Sequence, residues 1–254
     1  MNLPRCFLFF FYLLQQIWFF FLELLFPWHC VYCGTETKRQ PLCSRCFNSL
    51  SLHSGFICPS CKRRVSNPWH KPCHCSSPLY SLGTVGNYSD PILRTIIHKF
   101  KYNTIISLIN PLSELLCTFL EESRIFKFLP QNKITTGQII IIPIPLHKTK
   151  KRIRGFNQAE LLAHKIAQHF QLSYSNKILF RIKNNKPQVE IKNRQLREAN
   201  VKGIFAVRNS EKIQKKIIIL VDDVYTTGAT MKEAAKVLKQ AGAKKVIGIV
   251  IARG

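Results

Sequence analysis

The sequence predicts an α/β protein built on a parallel sheet and preceded by a cysteine-rich module that needs metal to fold. Three observations carry this. Ile217–Val221 and Ile139–Ile142 are apolar runs without alternation, as in strands buried on both faces. Helical stripes of 3.6-residue period follow each run, on Ala159, Leu162, Ala163, Ile166, Ala167 and Phe170, then on Ala234, Ala235, Val237, Leu238 and Ala241. Eight of the ten cysteines fall within residues 30–75, mostly as Cys-x2-Cys pairs.

Three segments are expected in chain order. Residues 1–27 form an apolar N-terminal helix, residues 28–76 a double zinc-finger-like module, and residues 79–254 the α/β domain. Residues 6–26 are long enough to span a membrane, but Gln15, Gln16 and Glu23 interrupt them. A helix docked on the protein or lying at a membrane surface fits better than a span. The segment ends in no small-residue cleavage site, which argues against a cleaved signal peptide.

The cysteine module holds Cys30-x2-Cys33, Cys43-x2-Cys46, Cys58-x2-Cys61 and Cys73-x-Cys75. Thiolates at this spacing reach one tetrahedral Zn2+, and a second pair completes the site. Two four-cysteine sites fit, and so does a single site. Four successive pairs argue for metal in a reducing cytoplasm over a disulfide framework. A module this short lacks a core of its own and depends on the ion. Cys6 and Cys117 sit in apolar surroundings and read as inert.

Residues 79–88 read as a strand leading to a turn. Asp90-Pro91 then caps a helix carrying Ile92, Leu93, Ile96, Ile97 and Phe100. A further helix covers about 107–121. The strand at Ile139–Ile142 ends in Pro143-Ile144-Pro145-Leu146, and a basic loop over 147–154 follows with five cations in eight residues. Residues 177–206 are polar and basic with short strand-like pieces, and Val246–Ile251 is the last strand.

The most informative stretch is Ile217 to Thr230. Its strand ends in Asp222 and Asp223, then passes through Thr226, Thr227, Gly228, Ala229 and Thr230 into a helix. A strand–loop–helix start binds phosphate, because unpaired N–H groups and the helix dipole face the loop. Carboxylates one step earlier suit sugar hydroxyls or Mg2+ about a sugar's width away. The implied ligand is a phosphorylated ribose. In a doubly wound sheet the basic segment after the neighbouring strand lands beside that site, where Lys148, Arg152 and Arg154 would face pyrophosphate.

The Asp222–Thr230 string resembles the 5-phosphoribosyl-1-pyrophosphate (PRPP) signature of type I phosphoribosyltransferases. Together with Pro143-x-Pro145-Leu146, Arg154-Gly155-Phe156-Asn157-Gln158, Gln188, Arg194, Asn200 and Phe205, the chain is similar to the ComF/ComFC family. The paired cysteines and Lys99-Phe100 fit the same pattern. The resemblance implies a type I phosphoribosyltransferase-like parallel sheet fused to a zinc module; for an enzyme, residues 183–200 would form a mobile cover supplying Arg194. It also implies PRPP with Mg2+, single-stranded DNA and a competence helicase as partners, on the cytoplasmic side of the membrane. Two features depart from the family: the tight Cys73-x-Cys75 spacer and the bulky aromatic N-terminus.

The charge points the same way. A net charge of +25, from 38 Lys+Arg against 13 Asp+Glu, suits a polyanionic partner. Two function classes fit these residues. One is handling of single-stranded DNA in natural transformation by a PRPP-binding protein. The other is phosphoribosyl transfer from Mg-PRPP to a nitrogen acceptor in nucleotide metabolism. No motif identifies that acceptor or a catalytic side chain.

Overall fold

The computed structural model describes residues 27–52, 55–69, 75–123, 125–126, 136–183 and 201–254. The expectations for residues 6–26, Cys6, Cys73, Gln188, Arg194 and Asn200 lie outside the described residues. Among the described residues no helix is long and apolar enough to cross a membrane. Contacts divide the chain into two units, Met1–Ser49 and Leu50–Gly254.

In the first unit β1 (Trp28–His29) pairs antiparallel with β2 (Glu36–Thr37), with Trp28 opposite Thr37. The short helix α1 (Ser44–Asn48) starts from Cys43, whose sulfur accepts from the Cys46 N–H. The turn and the helix therefore bring the two cysteine pairs together.

The second unit is built on a sheet to which, among the described residues, seven strands contribute. Two come from the cysteine-rich stretch: β3 (Gly55–Ile57) and β4 (Arg64–Val65). The others are β5 (Ser81–Asn87), β6 (Ile139–Pro143), β7 (Ser173–Tyr174), β10 (Ile217–Tyr225) and β11 (Lys245–Arg253). Their order is β4-β3-β5-β11-β10-β6-β7. From β5 to β7 all pairings are parallel, while β3 and β4 join antiparallel. A separate antiparallel pair joins β8 (Leu179–Arg181) to β9 (Phe205–Val207).

The apolar runs occupy the middle of the sheet, as their lack of alternation requires. Ile217–Val221 lies between Ile139–Pro143 on one side and Lys245–Ile249 on the other. The helices are α2 (Pro91–Tyr102), α3 (Ile109–Glu122), α4 (Lys148–Arg154), α5 (Gln158–Phe170) and α6 (Ala229–Gln240). Asp90 caps α2 by accepting from the Leu93 N–H, with Pro91 at the first position. The apolar stripe of α6, Ala234, Ala235 and Leu238, packs in one buried cluster with Ile218 and Leu220. Helix α5 packs on β6 and β10, and α3 packs on β5 and β11.

One expectation needs correction. Residues 148–154 are a helix, not a loop. His147 Nδ1 accepts from the Thr149 N–H, and Gly155 ends the helix at φ 81°. Lys and Arg are good helix formers, but this helix buries no side chain and Ile153 is 81% exposed, so it leaves no apolar stripe in the sequence. The cysteine stretch also contributes a strand to the sheet of the second unit. Contacts divide at residues 49 and 50, and β3 pairs with β5, Phe56 opposite Gly83. A Cβ on Gly83 would lie 2.8 Å from the Phe56 ring, so the glycine makes room for that strand to close on the sheet.

Candidate ribose-phosphate site and thiol clusters

Strand β10 delivers the two acids to the carboxyl edge of the sheet, where α6 begins. Asp223 is 7% exposed, and Lys101 Nζ, from the last turn of α2, stands 2.9 Å from Asp223 Oδ1. The Asp223 N–H donates to Asp222 Oδ1 at 2.9 Å. Burial pushes the Asp222 carboxyl up to about 8; the Asp223 charge adds to the rise and Lys101 opposes it. Burial pulls the Lys101 ammonium down, but the charges of Asp223 and Asp222 override it and hold it above its ordinary value. The acid pair is thus held at an electrostatic cost that hydrogen-bond donors or a cation would relieve.

The loop after the acids turns into α6 through Gly228, at φ 78°. Thr227 Oγ1 accepts from the Ala229 N–H at 3.3 Å. Lys101, Asp222, Asp223, Thr226, Thr230 and Arg154 line one cavity of about 330 Å3. Arg154 is set there by two contacts: its Nη1 donates to Gln158 Oε1 at 2.6 Å, and its guanidinium lies 5.3 Å over the Tyr102 ring. The strand end at Ile144 and the start of α5 are tied together, since Asn157 Nδ2 donates to the Ile144 carbonyl at 3.0 Å.

A second cavity of about 480 Å3 adjoins the first, sharing Pro145, Leu146, Asn157 and Arg181. Lys148, Lys151, Arg181, Arg208 and Phe180 line it. The Arg208 guanidinium lies 4.3 Å over the Phe180 ring, and Lys151 pairs with Glu160 at 2.8 Å.

The structure therefore brings together Asp222, Asp223, Thr226, Thr230 and Arg154. Gly228 forms the cap beneath them, with Thr227 and Ala229 beside it, and Lys148 faces the adjoining cavity. Arg152 is exposed and lines neither cavity. Sequence reasoning missed Lys101 and Arg181. Lys101 follows Lys99-Phe100 at the end of an amphipathic helix, and a lysine there looks like a solvated helix terminus.

Among the described residues two groups of thiols have metal-ligand geometry. In the first unit Cys30, Cys33, Cys43 and Cys46 place their sulfurs within 4.8 Å of one another. The thiols there are not alike. Contact with the Thr35 hydroxyl pulls Cys33 down to about 6, whereas burial and the neighbouring thiols push Cys46 up. Four thiols so close cannot all ionise without a cation among them, so the donor set fits a metal ion. In the second unit Cys58, Cys61 and Cys75 form the other group, equally close. The N–H groups of Ser60 and Cys61 donate to Cys58 Sγ at 3.4 and 3.5 Å.

Residues 156–254 match the phosphoribosyl transferase domain family. The chain is 30% identical over 212 residues to competence protein ComFC of Bacillus subtilis (strain 168), covering 80% of each chain. It is 27% identical over 218 residues to competence protein F of Haemophilus influenzae, covering 85% of this chain and 86% of that one. To the DNA utilization protein YhgH of Escherichia coli (strain K12) it is 28% identical over 221 residues, covering 85% of this chain and 86% of that one.

Proposed function

The chain belongs to the ComF/ComFC family of competence proteins, and from that membership and the site geometry we propose that it binds PRPP and handles single-stranded DNA. The observation that carries the PRPP reading is the Asp222–Asp223 pair, sharing one cavity with Thr226, Thr230 and Arg154. The ribose hydroxyls donate to the two carboxylates, and the α6 end takes the 5′-phosphate. Arg154 faces pyrophosphate, and Mg2+ arrives as the counter-ion of PRPP. Lys148, from the adjoining cavity, and Arg194 are assigned to the same pyrophosphate, and Arg152 belongs to the outer basic surface. Zinc is the ion for both thiol groups, held by Cys30, Cys33, Cys43 and Cys46 in one. Cys58, Cys61 and Cys75, with Cys73, hold the other.

The DNA part of the reading draws on the names of the relatives, on the net charge of +25 and on the exposed basic face of α4. A helicase working on the same strand and a membrane surface met by residues 6–26 complete this reading.

A second reading has its own support in the adjoining cavity of about 480 Å3. Phosphoribosyl transfer needs room for an acceptor beside the ribose-phosphate, and Arg181 lines both compartments. Such a protein supplies placed charge for an oxocarbenium-like sugar and its departing pyrophosphate.

Pyrophosphate release from Mg-PRPP separates the two readings. It is measured with nucleobases and with single-stranded oligonucleotides, in the wild type and in Asp222→Asn. The DNA-handling reading expects oligonucleotide binding with no release above background. Release that requires one acceptor and is lost in Asp222→Asn would move the assignment to the enzyme.

A further inference from the structure

Tyr225 closes β10 and is 2% exposed. Its hydroxyl donates to the Pro59 carbonyl at 3.5 Å, and the Lys62 ammonium stands 5.1 Å over its ring. Pro59 lies between Cys58 and Cys61, and Lys62 follows directly. The same hydroxyl also lies against Gly228: a Cβ there would stand 2.0 Å from Tyr225 Oη. Gly228 is the residue that caps α6 and closes the phosphate loop. One buried side chain therefore touches both the thiol-bearing turn and the loop, within the second unit.

We propose that Tyr225 is a positioning residue through which a zinc ion on Cys58, Cys61 and Cys75 fixes the shape of the phosphate loop, Thr226–Thr230. The turn from Cys58 to Lys62 is short and contains Lys62 at φ 63°, a conformation that costs a non-glycine residue energy. Two backbone hydrogen bonds close the turn, from the Cys58 N–H to the Arg63 carbonyl at 2.9 Å and from the Lys62 N–H to the Cys58 carbonyl at 3.0 Å, and bonds from an ion to Cys58 and Cys61 add to them and fix where the Pro59 carbonyl stands. When the turn relaxes, the Pro59 carbonyl leaves the Tyr225 hydroxyl and the ring loses one wall. Gly228 then loses the surface that fixes its left-handed conformation. The loop must be ordered again each time phosphate binds, and that ordering is subtracted from affinity. The coupling is reciprocal: a ligand on the loop strengthens zinc binding by the same factor.

The inference rests on the reading that the loop binds the 5′-phosphate of PRPP. To test it, Mg-PRPP is titrated calorimetrically into the full zinc-loaded chain, Cys58→Ser/Cys61→Ser, Tyr225→Phe and the combination. Tyr225→Phe keeps the ring, and with it the fold, but loses the hydroxyl that touches both sides. Loss of the cysteine pair is expected to weaken PRPP about tenfold with Tyr225 present and less than about twofold in the Tyr225→Phe background. Zinc affinity, from competition with a chelator, rises with PRPP in the wild type and not in Tyr225→Phe. A tyrosine that merely packs would not move that second readout. Equal losses in both backgrounds, or no loss on removing the cysteines, overturn the coupling. Asp222→Asn separates the two levels. If PRPP binding needs Asp222 but ignores the cysteine pair, the coupling alone fails. If the wild type does not bind PRPP, the coupling and the phosphate reading fail together.

Discussion

Lys101 Nζ lies 2.9 Å from Asp223 Oδ1 and ties the last turn of α2 to the end of β10. The pair sits inside the candidate ribose-phosphate cavity, with the Lys101 side chain 18% exposed. One of the two acids that line the cavity is therefore also part of the structural frame.

Asp223→Asn should therefore cost stability, because it leaves the Lys101 ammonium without its partner. We expect a loss of about 2 kcal/mol, below the range for a fully buried pair because some solvent reaches both groups. Lys101→Met added to Asp223→Asn should restore part of it. Urea unfolding of the three proteins checks this; a stable Asp223→Asn would mean the pair contributes nothing.

Asp222 sets a pH dependence of stability. Its folded carboxyl is raised from 3.8 to about 8. The stability tied to its protonated form is complete below about 4 and is lost as pH rises through about 8. Asp222→Asn lacks that slope. Its Tm relative to the wild type should rise from pH 5 to about pH 8 and level off above it, in the absence of ligand; a constant difference would contradict the assigned environment.

Gly228→Ala should be severe. An alanine at φ 78° costs about 1–2 kcal/mol in backbone strain alone. Its Cβ also displaces the Tyr225 hydroxyl, so the loss should exceed that range. Thermal unfolding reports it.

Much of this architecture is legible in the sequence because local signals and burial agree. The runs at Ile139 and Ile217 have no alternation, and they are the two neighbouring strands of the sheet interior. Asp90-Pro91 reads as a helix start and is one. What escapes is long-range or carries no apolar signal. Nothing local marks Lys101 as the partner of Asp223, since the contact is made only when the end of α2 meets the end of β10. Helix α4 buries no side chain, so its basic residues look like a loop. Strand β3 spans three residues between cysteine turns, too short for any period, and only its pairing with β5 assigns it to the sheet.

That placement gives a prediction for metal removal. Chelation should speed amide exchange over residues 30–49, where the first thiol group lies, while the amides of β3 paired with β5 stay protected. Metal analysis of the loaded protein should find two zinc ions per chain. Oxidised cysteines without metal would refute both.

Single-stranded DNA binding should be steeply salt-dependent, with a log–log slope of about −0.7 per phosphate contact. Lys148→Ala with Lys150→Ala and Lys151→Ala should weaken binding and flatten the slope, leaving base preference unchanged. If the triple variant loses PRPP affinity instead and keeps DNA affinity, these lysines serve the sugar-phosphate cavity.

The central claim is that Asp222, at the end of β10, holds the ribose of PRPP. The most direct measurement is a calorimetric titration of Mg-PRPP into the wild type and into Asp222→Asn, which keeps the Lys101–Asp223 pair. The account predicts saturable binding in the wild type and a loss of at least about tenfold in a folded Asp222→Asn, the scale of removing charged hydrogen-bond acceptors. Equal affinity in the two proteins would contradict it.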